Sequence, residues 1–151
     1  MIRIVFFKSD DERFEIVKNI RTTVFINEQG ANSNEEFDEY DSSGVFALLF
    51  EDEKSVGTAR VVKTDKGYKI GRIAILKEYR GKGYGAFIVR AIAQKTFDLG
   101  TDEAFLNALN YAVPFYEKLG FEVIGEEIIE RGLPHIQMSI TRENFYDKKK
   151  K

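Results

Sequence analysis

Apolar positions along the chain follow two rhythms, a strand-like run or alternation and a helical spacing of three to four. Met1 to Phe7 is an apolar run of strand length and reads as a buried first strand. Ser9-Asp10-Asp11-Glu12 has the spacing of a capping box, which predicts a helix start. Val17, Ile20 and Val24 then recur at i, i+3 and i+7, so one face of that helix should pack on a sheet. The polar stretch from Asn27 to Ser43 breaks the rhythm. It is too long for a simple connection, and long irregular segments in compact domains tend to be functional.

Strands are predicted over Val45 to Phe50, Val56 to Lys63 and Tyr68 to Leu76, joined by turns at Glu51-Asp52-Glu53-Lys54 and Thr64-Asp65-Lys66-Gly67. From Lys82 to Leu99 the period becomes helical, with Arg90, Gln94 and Asp98 as a polar stripe, which predicts a mostly buried helix ended by Gly100. Ala104 to Leu109 reads as a strand and Val113 to Leu119 as a short helix stopped by Gly120. Phe121 to Ile129 and His135 to Ile140 read as two strands joined across Glu130-Arg131-Gly132-Leu133-Pro134. No repeat or linker interrupts the series. The expectation is one α/β (α+β) domain over residues 1–146 with a mixed, mostly antiparallel sheet, followed by a solvated or disordered basic tail over 147–151.

Composition narrows the chemistry. The chain has 151 residues, 43% hydrophobic and 32% charged, and a formal net charge of −2. This is ordinary for a soluble globular protein and gives nucleic-acid binding no general electrostatic support. With no cysteine and one histidine, disulfides and thiolate metal sites are excluded and an imidazole zinc cluster is disfavoured, so no metal is expected. The N-terminal apolar run is short for a signal peptide and no stretch reaches the length of a membrane span, which predicts a cytoplasmic protein without a membrane partner.

Arg80-Gly81-Lys82-Gly83-Tyr84-Gly85 lies between a predicted strand and a predicted helix. Glycines there let the backbone approach a ligand, the first helix amides carry partial positive charge, and Arg80 and Lys82 add full charges, a set suited to a pyrophosphate. The spacing fails the Walker A pattern, because Gly81-Lys82 is followed by Gly83, and it fails the dinucleotide fingerprint as well. A tight turn that binds nothing is the alternative reading of the same residues.

Arg80-x-x-Gly83-x-Gly85 resembles the R/Q-x-x-G-x-G/A element of the GNAT superfamily. The preceding Ile73-Ala74-Ile75 looks like the strand that bulges and splays in that fold. Downstream, Pro114-Phe115-Tyr116-Glu117-Lys118-Leu119-Gly120-Phe121 is similar to the family's FYEKLGF segment. The resemblance implies a single GNAT-type domain that uses acetyl-coenzyme A as co-substrate. It implies that Arg80, Gly81, Lys82, Gly83, Tyr84 and Gly85 bind the coenzyme A pyrophosphate, while Ile73, Ala74 and Ile75 offer backbone groups to the pantetheine arm. An acceptor amine would attack the thioester directly, with the backbone amide near Ile75 polarising its carbonyl. Tyr116 aligns with the tyrosine that protonates the departing thiolate in many members; packing of its ring is the other reading. Many members also carry an Asn where Leu109 stands here. Asn110, one residue on, would face the other way on a strand, so Asn107 or a backbone group is the expected contact.

The segment Arg21-x-x-Val24-Phe25-x-x-Glu28-Gln29-Gly30, followed by Glu36, Asp38 and Asp41, is similar to a GNAT subgroup with an R-x-x-V-F-x-x-E-Q signature and to acyl-homoserine-lactone synthases. Glu28, Glu35, Glu36, Asp38, Glu39 and Asp41 read either as an anionic mouth for a cationic amine or as a solvated loop. Glu28 is expected to aim inward as a substrate-binding residue. Arg60 and Arg72, on central strands, would pair with Glu28 or a substrate carboxylate, or lie on the surface. His135, the sole imidazole, is a candidate base or a structural residue. The leading expectation is an N-acetyltransferase acting on a small-molecule or peptide amine, with a possible homodimer through Phe121 to Ile140. An acyl-homoserine-lactone-type synthase and a non-catalytic acyl-CoA sensor are the alternatives.

Overall fold

The computed structural model describes residues 1–147, apart from the side chains of Asn34 and Glu35, and the basic run Lys148 to Lys151 lies outside the described residues. Seven strands, β1 (Ile2–Phe7), β2 (Val45–Glu51), β3 (Lys54–Thr64), β4 (Gly67–Ile75), β5 (Glu103–Leu109), β6 (Glu122–Glu130) and β7 (Leu133–Thr141), form one sheet. Their order is β1-β2-β3-β4-β5-β7-β6. All neighbours are antiparallel except β4 and β5, which are joined by the long helical crossover. The helices are α1 (Phe14–Arg21), α2 (Ser33–Glu36), α3 (Tyr84–Asp98), α4 (Val113–Lys118) and α5 (Arg142–Tyr146). No helix of the described residues is long and apolar enough to cross a membrane.

Strand β2 explains the unbroken apolar run. Val45, Ala47 and Leu49 face the core under α3, while Phe46, Leu48 and Phe50 face the core under α1. Successive side chains point to opposite faces, so a strand covered on both sides must be apolar at every position. On α1, Val17 and Ile20 are buried as their spacing predicts, and Val24 extends that face into a π-helical segment, Thr22–Glu28.

Four expectations are corrected. First, β1 is an edge strand rather than a buried one: Ile2 is 46% exposed and pairing exists on one side only. Second, the capping box does not form. The α1 helix begins at Phe14 with no side-chain cap, and Ser9 to Glu12 make turns. Asp11 instead accepts bonds from the Arg13 amide and guanidinium, at 2.8 to 2.9 Å, which holds its carboxyl down at about 2. A charge-assisted fork outcompetes a neutral hydroxyl cap. Third, α3 is mostly buried with Arg90, Gln94 and Asp98 exposed as predicted, but the apolar Phe87 joins that exposed stripe, at 41%. Fourth, the chain ends in an unanticipated helix, α5, whose Thr141 side chain accepts from the Asn144 amide as an N-cap.

Leu49 sits in the α3-side core with no exposure. Leu49→Ala should lower the unfolding free energy by about 2–5 kcal/mol, read from the denaturant midpoint at unchanged slope.

Candidate active site

Strand β4 pairs with β5 only at Tyr68–Ala104 and Lys69–Phe105; from Ile70 onward the two diverge. On its other side β4 bulges. Thr58 pairs with Ala74 and Arg60 with Gly71, so β4 carries one residue more than β3 between the two pairs, and Arg72 takes φ +50°. The bulge bends β4 away from β5 and opens a wedge in the sheet. Two cavities meet there. One, of about 460 Å³, runs along Ile73, Ala74, Ile75, Arg80, Gly81, Gly83, Tyr84 and Gly85. The other, of about 810 Å³, holds Tyr116, His135, Asn107, Arg60 and Arg72 in its wall. Gln29, Ile73, Tyr111 and Phe115 belong to both walls.

The glycine turn has the shape of a cradle. Gly81 and Gly83 have φ +81° and +83°, and a Cβ on either would meet nothing within 4 Å. Glycine is needed here for its backbone angle, and the space above the turn is open. Gly83 caps the 15-residue α3, whose first amides face outward. The donor set fits a pyrophosphate, although the flanking cations are engaged. Arg80 donates to the Ile75 carbonyl at 2.9 Å and grips Glu28 at 2.5 and 2.8 Å. The guanidinium bond holds the Glu28 carboxyl below its ordinary range, and Glu28 in turn raises Arg80. Lys82 lies 3.3 Å from Glu51, which also accepts a bond from the Tyr84 hydroxyl; that bond is the main reason the Tyr84 phenol is pushed up to about 12.

In the larger cavity α4 supplies Tyr116, edge-on to Phe115 and Phe121 at 5.0 and 5.6 Å. Burial, with a smaller contribution from Tyr111, pushes its phenol up to about 12, so it stays protonated. On β7, His135 Nδ1 lies 2.9 Å from the Leu133 carbonyl. A carbonyl can only accept, so Nδ1 carries the hydrogen, and Nε2 lies 3.8 Å from Glu130 Oε2. Glu130 accepts from Asn107 at 2.9 Å and from Lys69 at 3.1 Å. Burial opposes its ionisation, but the Asn107 bond and the Lys69 charge prevail and hold its carboxyl below the usual range. Asn110 is turned to Glu127, at 2.6 Å, and lines neither cavity.

Behind this cavity lies a buried ion network. Arg21, wholly buried, donates to Glu36 at 3.0 Å and to Asp41 at 2.8 Å. Arg60 donates to Asp38 at 2.7 Å and Asp41 at 2.9 Å; Arg72 lies 3.1 Å from Glu36 and 3.2 Å from Asp38; Arg131 donates to Glu36 at 2.5 Å. Three expectations change. Arg60 is buried and Arg72 half-buried, and they pair with Glu36, Asp38 and Asp41 rather than with Glu28. Glu28 does not line the larger cavity; it is held at the glycine turn by Arg80, while its neighbour Gln29 takes the wall. Glu36 and Asp41 are neither a mouth nor a solvated loop, because guanidiniums draw them inward, while Asp38, with 31% of its side chain exposed, lines a cavity of about 570 Å³ beside Arg60 and Arg72.

Sequence reasoning missed Arg21, Lys69, Glu130 and Arg131. For Arg21 a signal existed: at four after Val17 and three before Val24 it sits on the apolar face of its helix, where an arginine needs a buried partner. Nothing local marked the others, which meet across strands distant in sequence.

A family model described as an acetyltransferase (GNAT) domain matches residues 11–142. The chain belongs to the GNAT acetyltransferase family. It is 35% identical over 130 residues to the uncharacterized N-acetyltransferase YjcF of Bacillus subtilis (strain 168), spanning 85% of this chain and 93% of the relative. The fold is shared with Escherichia coli ElaA, at TM-score 0.81 and 23% identity over 93% of this chain and 99% of that one. It is shared also with an acyl-CoA N-acyltransferase from Pseudomonas aeruginosa, at TM-score 0.83 and 20% identity over 93% and 100%.

Removing one member of the ion network strands the others. Arg21→Met should lower stability by about 3–5 kcal/mol, because Glu36 and Asp41 lose a buried counter-charge; equilibrium denaturation reads it.

Proposed function

We propose that this protein transfers an acetyl group from acetyl-coenzyme A to a primary amine of a small molecule or peptide, by direct attack within a ternary complex. The observation that carries the reading is the meeting of the two cavities, a glycine-lined cradle at a helix start opening through Gln29, Ile73, Tyr111 and Phe115 into a chamber that holds a protonated phenol and the imidazole of His135. When bound, acetyl-coenzyme A supplies an activated thioester and a thiolate leaving group.

The chain's own groups have distinct tasks in this reading. The amides of Gly81 to Gly85 hold the pyrophosphate, and Arg80 and Lys82 loosen from Glu28 and Glu51 to share it. Ile73, Ala74 and Ile75, freed of β5, present backbone groups to the pantetheine arm, and Asn107, in the chamber wall, offers it a side-chain amide. His135 Nε2 takes the proton that the attacking amine sheds, and Glu130 stabilises the imidazolium that results. Tyr116 faces the sulfur. Burial raises its phenol, so complete proton transfer to the thiolate runs uphill. Its task is therefore a hydrogen bond that strengthens as charge grows on sulfur. The β6–β7 hairpin, whose edge strand exposes Ile124, Ile128 and Ile129, is the candidate homodimer contact.

Calorimetric titration should give saturable acetyl-coenzyme A binding that an Arg80→Ala, Gly83→Asp double variant loses. Tight binding with no thiol release for any amine would turn the reading towards a sensor, and no binding at millimolar ligand would overturn it. Tyr116→Phe should lower kcat about 100-fold while leaving acetyl-coenzyme A affinity unchanged; full turnover would remove the phenol from the mechanism.

A further inference from the structure

The charges of the larger cavity are arranged front to back. Among the described residues in its wall the cations are Arg60, Lys69, Arg72 and Arg131, against the single carboxylate of Glu130. The acids that answer the arginines, Glu36, Asp38 and Asp41, are absent from that wall. Glu36 is wholly buried and Asp38, 31% exposed at its side chain, faces a separate cavity of about 570 Å³, whereas the Arg131 side chain keeps a quarter of its surface (25%) and Lys69 28%. A pair with its cation towards a cavity and its anion behind presents a positive face, since potential falls with distance from each charge. Arg60 adds to it: it is 4% exposed, and its Nε–H has no acceptor. Coenzyme A does not need this wall. Its phosphates suit the glycine turn, and the pantetheine arm that would reach the wedge is uncharged.

We propose that the acceptor is an anionic amine, a small molecule that carries a carboxylate beside its primary amine, as an amino acid does. Its carboxylate lies against Arg131 and Arg72, and its amine lies towards His135 and Glu130. A planar guanidinium matches a carboxylate in geometry and charge, and Arg131 is itself steadied by Glu36 at 2.5 Å and by the Phe25 ring at 5.3 Å. Two ends of opposite polarity, positive at the arginines and basic at His135 and Glu130, would orient the amine for attack before the acetyl donor is engaged. A volume of about 810 Å³, shared with the end of the pantetheine arm, suits a molecule of this size better than a folded protein surface. This assignment rests on the acetyltransferase reading above and specifies its acceptor.

The test is a set of matched pairs: α-, β- and γ-amino acids, each beside its own carboxamide, assayed with acetyl-coenzyme A by thiol release. The members of a pair differ in the anion and in the amine basicity that the anion raises, so kcat/KM is compared per unprotonated amine. The expected result is at least one amino acid with kcat/KM about tenfold or more above its carboxamide. Arg131→Gln should pull that ratio towards one and Arg131→Lys should restore part of it. The wild-type comparison stands without either variant, should one fail to fold. Equal or faster turnover of carboxamides and uncharged amines would overturn the anionic acceptor and leave the acetyltransferase reading intact. If no amine turns over, calorimetric titration of the same pairs into the protein saturated with coenzyme A decides. Carboxylate-dependent binding there would uphold the acceptor class while overturning the transfer reaction, and binding without that preference, or none at all, would overturn the acceptor class.

Discussion

The whole site depends on β4 letting go of β5. A parallel pair that lasts for only two residue pairs is a costly break in a sheet, because the backbone groups beyond it lose their ladder partners. The extra residue at Arg72 makes the break structural: it bends β4 while its other edge stays bonded to β3, so the strand is held on one side and free on the other. Strand β5 is held from beyond by β7 along seven residue pairs, from Glu103–Thr141 to Leu109–His135. The wedge is therefore clamped between two well-paired halves of the sheet.

The buried ion network keeps the wedge furnished. Arg72 stands at the bulge, Arg60 on β3, Arg21 on α1 and Arg131 on the β6–β7 turn, and all four close on carboxylates from the segment Glu36 to Asp41. Elements from both sides of the opening are thereby joined through one short stretch of chain. Ion pairs of this kind are poor sources of net stability, since desolvation offsets most of their attraction. What they provide is position: each guanidinium fork accepts few geometries, so the turn carrying Glu130 and Arg131 is set relative to the strand carrying Arg72. The same arrangement puts cations at the wall of the larger cavity and keeps their acids out of it, so one network serves both architecture and electrostatic character.

The glycine turn and the chamber are coupled by an ion pair of a different kind. Arg80 ties the cradle to Ile75 at the end of β4 and to Glu28 at the end of the π-helical segment. The π-helical segment ends at Glu28, which reaches the cradle, and its C-cap Gln29 takes the cavity wall.

Much of this protein is legible in its sequence. Apolar rhythm located all seven strands and helices α1, α3 and α4. The run Val45 to Phe50 announced a strand buried on both faces, and Arg80 to Gly85 marked the strand-to-helix turn with glycines that prove to need positive φ. These features are local: periodicity and backbone angle depend on a residue and its near neighbours. Partnership was left to the tertiary structure. A row of acids between residues 28 and 41 looks the same in sequence whether it faces water, a substrate or buried arginines, and only the meeting of four elements turned Glu36, Asp38 and Asp41 inward while Arg80 claimed Glu28. The rise of Tyr116 and the lowered carboxyl of Glu130 were decided in the same way, because each follows from which groups tertiary packing brings around it.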